Sequence, residues 1–349
     1  MTTRISSIAW VTVGLIPAGS LIGCGASRSP AIGSAGGAVP VAEARFVSLG
    51  GLEQWITIRG DDRRNPILLL VHGGPGDVQS PLVSTYRPYE RDFVLVQWDQ
   101  RGSGKTFQRH GTATPNLTLA RLAADGTELA EYLGARFAPR KVVVLGHSWG
   151  TAIATEMVLA KPALFAAYVG TGQIASWAES VEAQFGFLKE KARETRDTAM
   201  TAQLEAIGKP DPANPTQYFA FTRPLRRFLG PADSAWLANL LPLIKSSPGF
   251  EESDLEAIGD GMNLSGRTLL PTQMQERLST SALRFAVPYI VIQGREDIFT
   301  PTAPAVAYFR KVVAPAKRLI VLDRAGHFAL ATHAERFATA LKDALERTR

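Results

Sequence analysis

The sequence predicts an α/β fold, in which a mostly parallel central sheet is flanked by helices and a helical segment is inserted before the last strands. Three observations point to it. Continuous apolar runs ending in glycine, such as PILLLVHGG (66–74) and KVVVLGH (141–147), read as strands buried on both faces. These runs alternate with segments whose apolar residues recur every third or fourth position, as in helices packed on a sheet. The alternation stops after Gly172 and resumes at Pro288. With 349 residues, 45% apolar and 20% charged, the chain is globular in composition, long enough for one large domain with an insertion or for two modest ones.

The elements follow in order. Arg4 is the only charge before Arg28, and the intervening stretch is apolar and rich in small residues, as in an export signal (1–23). Its Pro, Gly and Ser suit it poorly to a permanent spanning helix. It ends in Leu21-Ile22-Gly23-Cys24, which resembles a bacterial lipobox. The expectation is a lipid on Cys24 and an exported protein anchored at the extracytoplasmic face of a membrane; an intact mass lacking the lipid would refute it. Cys24 is also the only cysteine, so no internal disulfide is possible. Residues 24–43, rich in Gly, Ala, Ser and Pro, read as a flexible tether.

Residues 44–172 form the first part of the sheet domain. RFVSL and LEQWITIRG read as a hairpin joined through Gly50-Gly51. Residues 66–74 and 93–102 are buried strands, and 117–137 is a helix despite Gly126. After KVVVLGH comes a helix stopped at Pro162, then a strand over 165–172. Residues 173–283 offer helical pieces such as WAESVEAQFGFLKEKARET and SAWLANLLPLIKS, and exceed any ordinary loop; they are expected to form a helical cap. Residues 284–349 complete the sheet with strands over 288–294 and 317–323, a helix between them and a final helix from about Ala331.

The net charge of +6 is spread without a basic stripe, so nucleic acid is not an expected partner. No HExxH, Cys/His cluster or dinucleotide-binding loop occurs, so neither a metal nor an organic cofactor is expected.

Chemistry concentrates elsewhere. Gly146-His-Ser-Trp-Gly150 lies between a Val-rich strand and a small-residue helix, the setting of a nucleophile elbow that would expose Ser148 on a sharp turn. Glycine is needed on both sides because a Cβ would meet neighbouring backbone. A hydroxyl is a weak nucleophile and needs a base oriented by an acid, in the chain order serine, acid, histidine. Of His72, His110, His147, His327 and His333, only His327 sits in a loop after the last strand. Asp297, after the preceding strand, is the expected acid, with Glu296 as the alternative. The backbone N–H groups of Gly74 and Trp149 are the expected oxyanion donors. His72 is expected to stiffen the glycine-rich loop as a buried hydrogen-bonding residue.

His72-Gly-Gly-Pro-Gly76, Trp98-Asp-Gln-Arg-Gly-Ser-Gly104, Gly146-His-Ser-Trp-Gly150, Gly294-Arg-Glu-Asp297 and Gly326-His327 together resemble the α/β-hydrolase fold, and within it the prolyl aminopeptidase (proline iminopeptidase) branch. The resemblance spans about residues 45–172 and 284–349. It implies an eight-stranded-type sheet, a helical cap over the site, the triad Ser148, Asp297 and His327, and removal of an N-terminal residue, proline above all, from small peptides. It also implies that Asp99 and Arg101 buttress loops beside the site. Recognition of a free ammonium calls for cap carboxylates; Glu179, Glu182, Glu190 and Glu194 are available, at spacings that equally suit a solvated helix face. Two other readings compete: an esterase or lactonase on a small acyl substrate, and a catalytically silent, ligand-binding lipoprotein. A dehalogenase or epoxide hydrolase would carry aspartate at position 148.

Overall fold

The computed structural model describes residues 37–348, apart from 138–139, 209–210 and 212–213. The expected export signal (1–23), Cys24 and most of the expected tether (24–43) lie outside the described residues. No helix among the described residues is long and apolar enough to cross a membrane.

Eight strands form one sheet: β1 (Val41–Leu49), β2 (Leu52–Gly60), β3 (Ile67–Val71), β4 (Val94–Asp99), β5 (Val142–His147), β6 (Phe165–Thr171), β7 (Tyr289–Gly294) and β8 (Lys317–Leu322), in the order β1-β2-β4-β3-β5-β6-β7-β8. The first two pairings, β1 with β2 and β2 with β4, are antiparallel, and the rest are parallel. Gly50 and Gly51 both take positive φ, at 57° and 73°, between the paired residues Leu49 and Leu52. That is a two-residue hairpin of the primed type, which glycine adopts without a Cβ clash. The tether reading overran the sheet here: from Val41 the chain already pairs with β2, Val41 opposite Gly60.

The helices are α1 (Val83–Glu90), α2 (Gly104–His110), α3 (Leu119–Arg136), α4 (Gly150–Ala160), α5 (Trp177–Thr195), α6 (Thr198–Ile207), α7 (Pro215–Leu225), α8 (Pro231–Lys245), α9 (Glu252–Gln273), α10 (Leu278–Ser281), α11 (Thr302–Lys311), α12 (Ala329–Thr332) and α13 (Ala334–Glu346). Along β3, Ile67, Leu69 and Val71 pack on one face with Leu122, Leu129 and Met157, while Leu68 and Leu70 pack on the other with Tyr86, Phe337 and Leu341. Strands buried on both faces cannot alternate apolar with polar, so they read as unbroken apolar runs. Gly126 keeps its place inside α3 because a Cβ there would stand 2.6 Å from Met157 Sδ and 3.2 Å from the Trp98 ring. Helices α5 to α10 fill the stretch between β6 and β7 and contribute a third apolar cluster around Trp177, Leu188, Leu204, Leu225 and Met274.

Strand order sets where a site can form. From β3 the chain steps to β4 on one side, then returns through α2 and α3 to β5 on the other. The carboxyl ends of β3 and β5 therefore flank a topological switch point, where loops diverge and leave a crevice. The two outer strands, β1 and β8, carry charge: Glu43 and Arg45 on β1, Lys317 and Arg318 on β8.

Candidate active site

Four loops meet at the carboxyl ends of the parallel strands. Ser148 follows β5 directly, with φ of 53°, in the left-handed region that costs a non-glycine residue backbone strain. Its N–H donates to Thr171 O at 3.0 Å, and its carbonyl accepts from the Thr151 N–H and hydroxyl. These bonds fix the turn as β5 passes into α4. A Cβ at Gly146 would stand 2.6 Å from Gly150 O, and one at Gly150 only 2.0 Å from Val71 O. Both glycines are thus required by close backbone approach. Ser148 remains partly exposed, while Trp149 behind it is fully buried.

His327, in the loop after β8, donates from Nδ1 to both Asp297 oxygens, at 3.1 and 3.0 Å. Asp297, after β7, is 4% exposed and held from several sides. It accepts from the Phe299 and Thr300 N–H groups, the Thr300 hydroxyl at 2.7 Å and Gln293 Nε2 at 3.0 Å. Burial alone would raise the Asp297 pKa; the His327 charge and hydrogen bond, with the Thr300 donors, outweigh it and hold the carboxyl below its ordinary value. For His327, burial alone would lower the pKa, but the charge and hydrogen bond of Asp297, joined by Asp233 and Asp77, raise it above the ordinary histidine value. Glu296, the alternative acid, is exposed and turns toward Gly230, away from the imidazole.

Serine and histidine meet across Gly172. A Cβ placed there, where φ is 54°, would lie 3.0 Å from His327 Cε1 and 3.3 Å from the Ser148 nitrogen. Any side chain at 172 would push the two apart. Gly74 follows β3 with φ of 106° and opens its backbone to the cleft, and neither its N–H nor that of Trp149 has an acceptor among the described residues. Two of the other histidines are framework residues. His72 is buried, its ring placed between Gly73 O and the Gln100 N–H, and burial pushes its pKa down to about 4. His147, beside the serine, donates from Nε2 to His327 O at 3.1 Å, its ring centroid 4.9 Å from that of His327; burial, with the neighbouring His327, lowers it to about 3.

Ser148, His327 and Gly74 open onto one cavity of about 430 Å³. Its walls are largely apolar, with Ile174, Trp177 and Val181 from the start of the insertion, Trp236, Leu237 and Leu240 from α8, and Phe299 and Phe328 beside the histidine. The cap acids named from sequence do not line it. Glu190 and Glu194 pair with Arg193 and Lys191 on the surface of α5, Glu182 is exposed, and Glu179 accepts from Ser279. The cavity's own carboxylate is Asp77, in the loop after β3, which burial pushes up to about 6 against the opposing influence of His327 and Gln79.

The Asp-Gln-Arg-Gly-Ser-Gly loop braces the framework. Arg101, 1% exposed, donates to Asp125 on α3 at 2.8 Å, to Gly50 O in the hairpin and to Pro115 O. Asp99 accepts from the Lys105 N–H at 2.9 Å, capping the turn into α2.

Sequence reasoning missed Thr300, Gln293, Asp77 and Asp233. Thr300 had a local signal: an aspartate accepting from the N–H groups two and three residues on is an Asx-type turn, and a hydroxyl at its end can back the carboxylate. Asp233 had none, because it reaches His327 from a different part of the chain.

Comparison with known proteins agrees with this architecture. A model of the Alpha/beta hydrolase family matches residues 68–340. The probable aminopeptidase YbaC of Bacillus subtilis is 26% identical over 290 residues, covering 82% of this chain and 91% of that protein. Among solved structures, the proline iminopeptidase of Mycobacterium smegmatis superposes with a TM-score of 0.61 at 18% identity, covering 88% of this chain and 98% of that one. A thermophilic esterase from Thermogutta terrifontis does so with 0.55 at 19% identity, covering 89% and 99%. With the family model spanning most of its length and the sheet in place beneath the motifs, this chain belongs to the alpha/beta hydrolase family.

Proposed function

We propose that this protein is a serine hydrolase that releases N-terminal residues from small peptides, in the manner of a prolyl aminopeptidase. The observation that carries the reading is the convergence of a strained, accessible Ser148 and a His327–Asp297 pair on one apolar cleft. Ser148 Oγ attacks the scissile carbonyl while His327 Nε2 takes its proton and then returns it to the leaving amine. Asp297, kept ionised by its donors, holds the Nδ1–H tautomer and stabilises the imidazolium. The free N–H groups of Gly74 and Trp149 receive the oxyanion, and water then cleaves the acyl-enzyme. Ser148 Oγ makes no hydrogen bond among the described residues; in unliganded sites such bonds commonly close only around the substrate.

The aminopeptidase specificity draws support from the named relative in Bacillus subtilis and from Asp77, which places a carboxylate in the cleft for a substrate ammonium. The test is to assay proline arylamides beside short-chain esters with wild type, Ser148→Ala and Asp77→Asn. Ser148→Ala is expected to abolish turnover and fluorophosphonate labelling while leaving the fold intact; retained turnover would overturn the mechanism. Asp77→Asn is expected to raise KM for arylamides bearing a free amine and to leave ester KM unchanged. The apolar cavity walls favour a second reading, an esterase on a small acyl substrate. Cleavage of esters alone would establish that one and remove the peptidase.

A further inference from the structure

Four residues are hydrogen-bonded to His327, two at its ring, where Thr300 Oγ1 also lies 3.2 Å from Nδ1, and two at its backbone. Nδ1 meets Asp297, the main-chain carbonyl accepts from His147 at 3.1 Å, and the main-chain N–H donates to Asp233 Oδ2 at 2.8 Å. Asp233 is the third residue of α8 and only 2% exposed. Its partners are main-chain N–H groups rather than a lysine or arginine, and its Oδ1 has no partner among the described residues.

A buried carboxylate is a costly way to accept main-chain amide protons, because a neutral acceptor would serve without desolvating a charge. The opposite side of the contact is shaped to receive it. A Cβ at Gly326 would stand 2.2 Å from Asp233 Oδ2, so the carboxylate seats only because glycine precedes the histidine. The helix that carries Asp233 also carries Trp236, Leu237 and Leu240, which line the cavity. They lie three, four and seven positions further on, along the same helical face.

We propose that Asp233 is a positioning residue for the base, seating the His327 loop on α8 and adding a charge that favours the imidazolium formed when Ser148 gives up its proton. The proposal rests on the serine-hydrolase reading. One helix then both touches the substrate and holds the base, so a substrate that displaces α8 withdraws His327 from its place. The charged and titratable groups facing the imidazole are the carboxylates of Asp297, Asp233 and Asp77, with the ring of His147 on the remaining side.

The test is the rate of fluorophosphonate labelling of Ser148 in the full chain, followed against pH. Labelling needs neutral His327, so the rate rises with pH to a plateau. Asp233→Asn keeps an acceptor and loses the charge: its plateau is expected to drop only a few-fold while the midpoint moves to lower pH. Asp233→Ala loses both, and its plateau is expected to fall roughly 10- to 100-fold as the base drifts. A residue that only stabilised the fold would lower both plateaus and leave the midpoints in place. A folded Asp233→Asn variant with an unmoved midpoint overturns the proposal, and decides the matter alone if the alanine variant does not fold. Wild-type protein that fails to label at all would instead sink the serine-hydrolase reading.

Discussion

Ser148 pays for its exposure with its backbone. A non-glycine residue at φ 53° carries about 1 kcal/mol that glycine would not. Ser148→Gly is therefore expected to raise unfolding stability by about 1 kcal/mol while destroying activity, whereas Ser148→Ala destroys activity with no such gain. Urea titrations of the two variants separate these outcomes, and equal stabilities would show that the turn is unstrained. His327 gives a second residue-scale expectation. Catalysis uses the neutral imidazole, and Asp297, Asp233 and Asp77 together lift its pKa above the ordinary 6.5 despite burial. The acid limb of kcat/KM should accordingly fall at a pH above that value; a limb centred below it would contradict the arrangement. Both residues were legible in the sequence because each follows an apolar run that reads as a strand, the fully buried β5 for Ser148 and the partly buried outer strand β8 for His327. Asp297 was legible on the same ground, and preferring it to Glu296 matches which carboxylate faces the ring. Asp77 was not read as a cleft residue, because a lone acid after a glycine-rich loop looks like any solvated turn.

At the scale of elements, legibility followed burial. The hairpin could be read from Gly50-Gly51, the six strands after it from their apolar runs, and α3, α5 and α11 from recurring apolar positions, since these elements contribute side chains to an apolar core. The long helix α9 gave no comparable signal: its sequence carries Gly259, Gly261, Gly266 and Pro271, residues that ordinarily mark loops. Contact with the sheet domain overrides that preference. Gly261 packs within 3.0 Å of Gly102 O, measured from where its Cβ would be, and Ser265 donates to the same carbonyl at 2.8 Å. Small residues in α9 thus allow the inserted helix to lie close against the Arg101 loop. The expectation at this scale is that Gly261→Leu forces α9 away from that loop, lowering activity more than it lowers stability; the split between kcat and the urea midpoint checks it.

Across the whole molecule, the buried pair of Arg101 and Asp125 joins the hairpin, the loop after β4 and α3 into one framework. Deleting one partner leaves the other charged and enclosed. Asp125→Ala is expected to destabilise the protein by about 3–5 kcal/mol, measured by urea denaturation, and a loss below about 1 kcal/mol would show that Arg101 finds another partner. The order of the strands has a consequence of a different kind. An open sheet presents two rows of unsatisfied backbone groups to passing chains, an invitation to polymerise. Here those margins carry Glu43 and Arg45 on one side and Lys317 and Arg318 on the other. Stacking a second copy on the β8 margin would bring the Lys317 and Arg318 cations of two molecules together, and on the β1 margin it would have to accommodate Glu43 already paired with Arg45 and Arg136, so these outer-strand charges act as insulation against fibril growth.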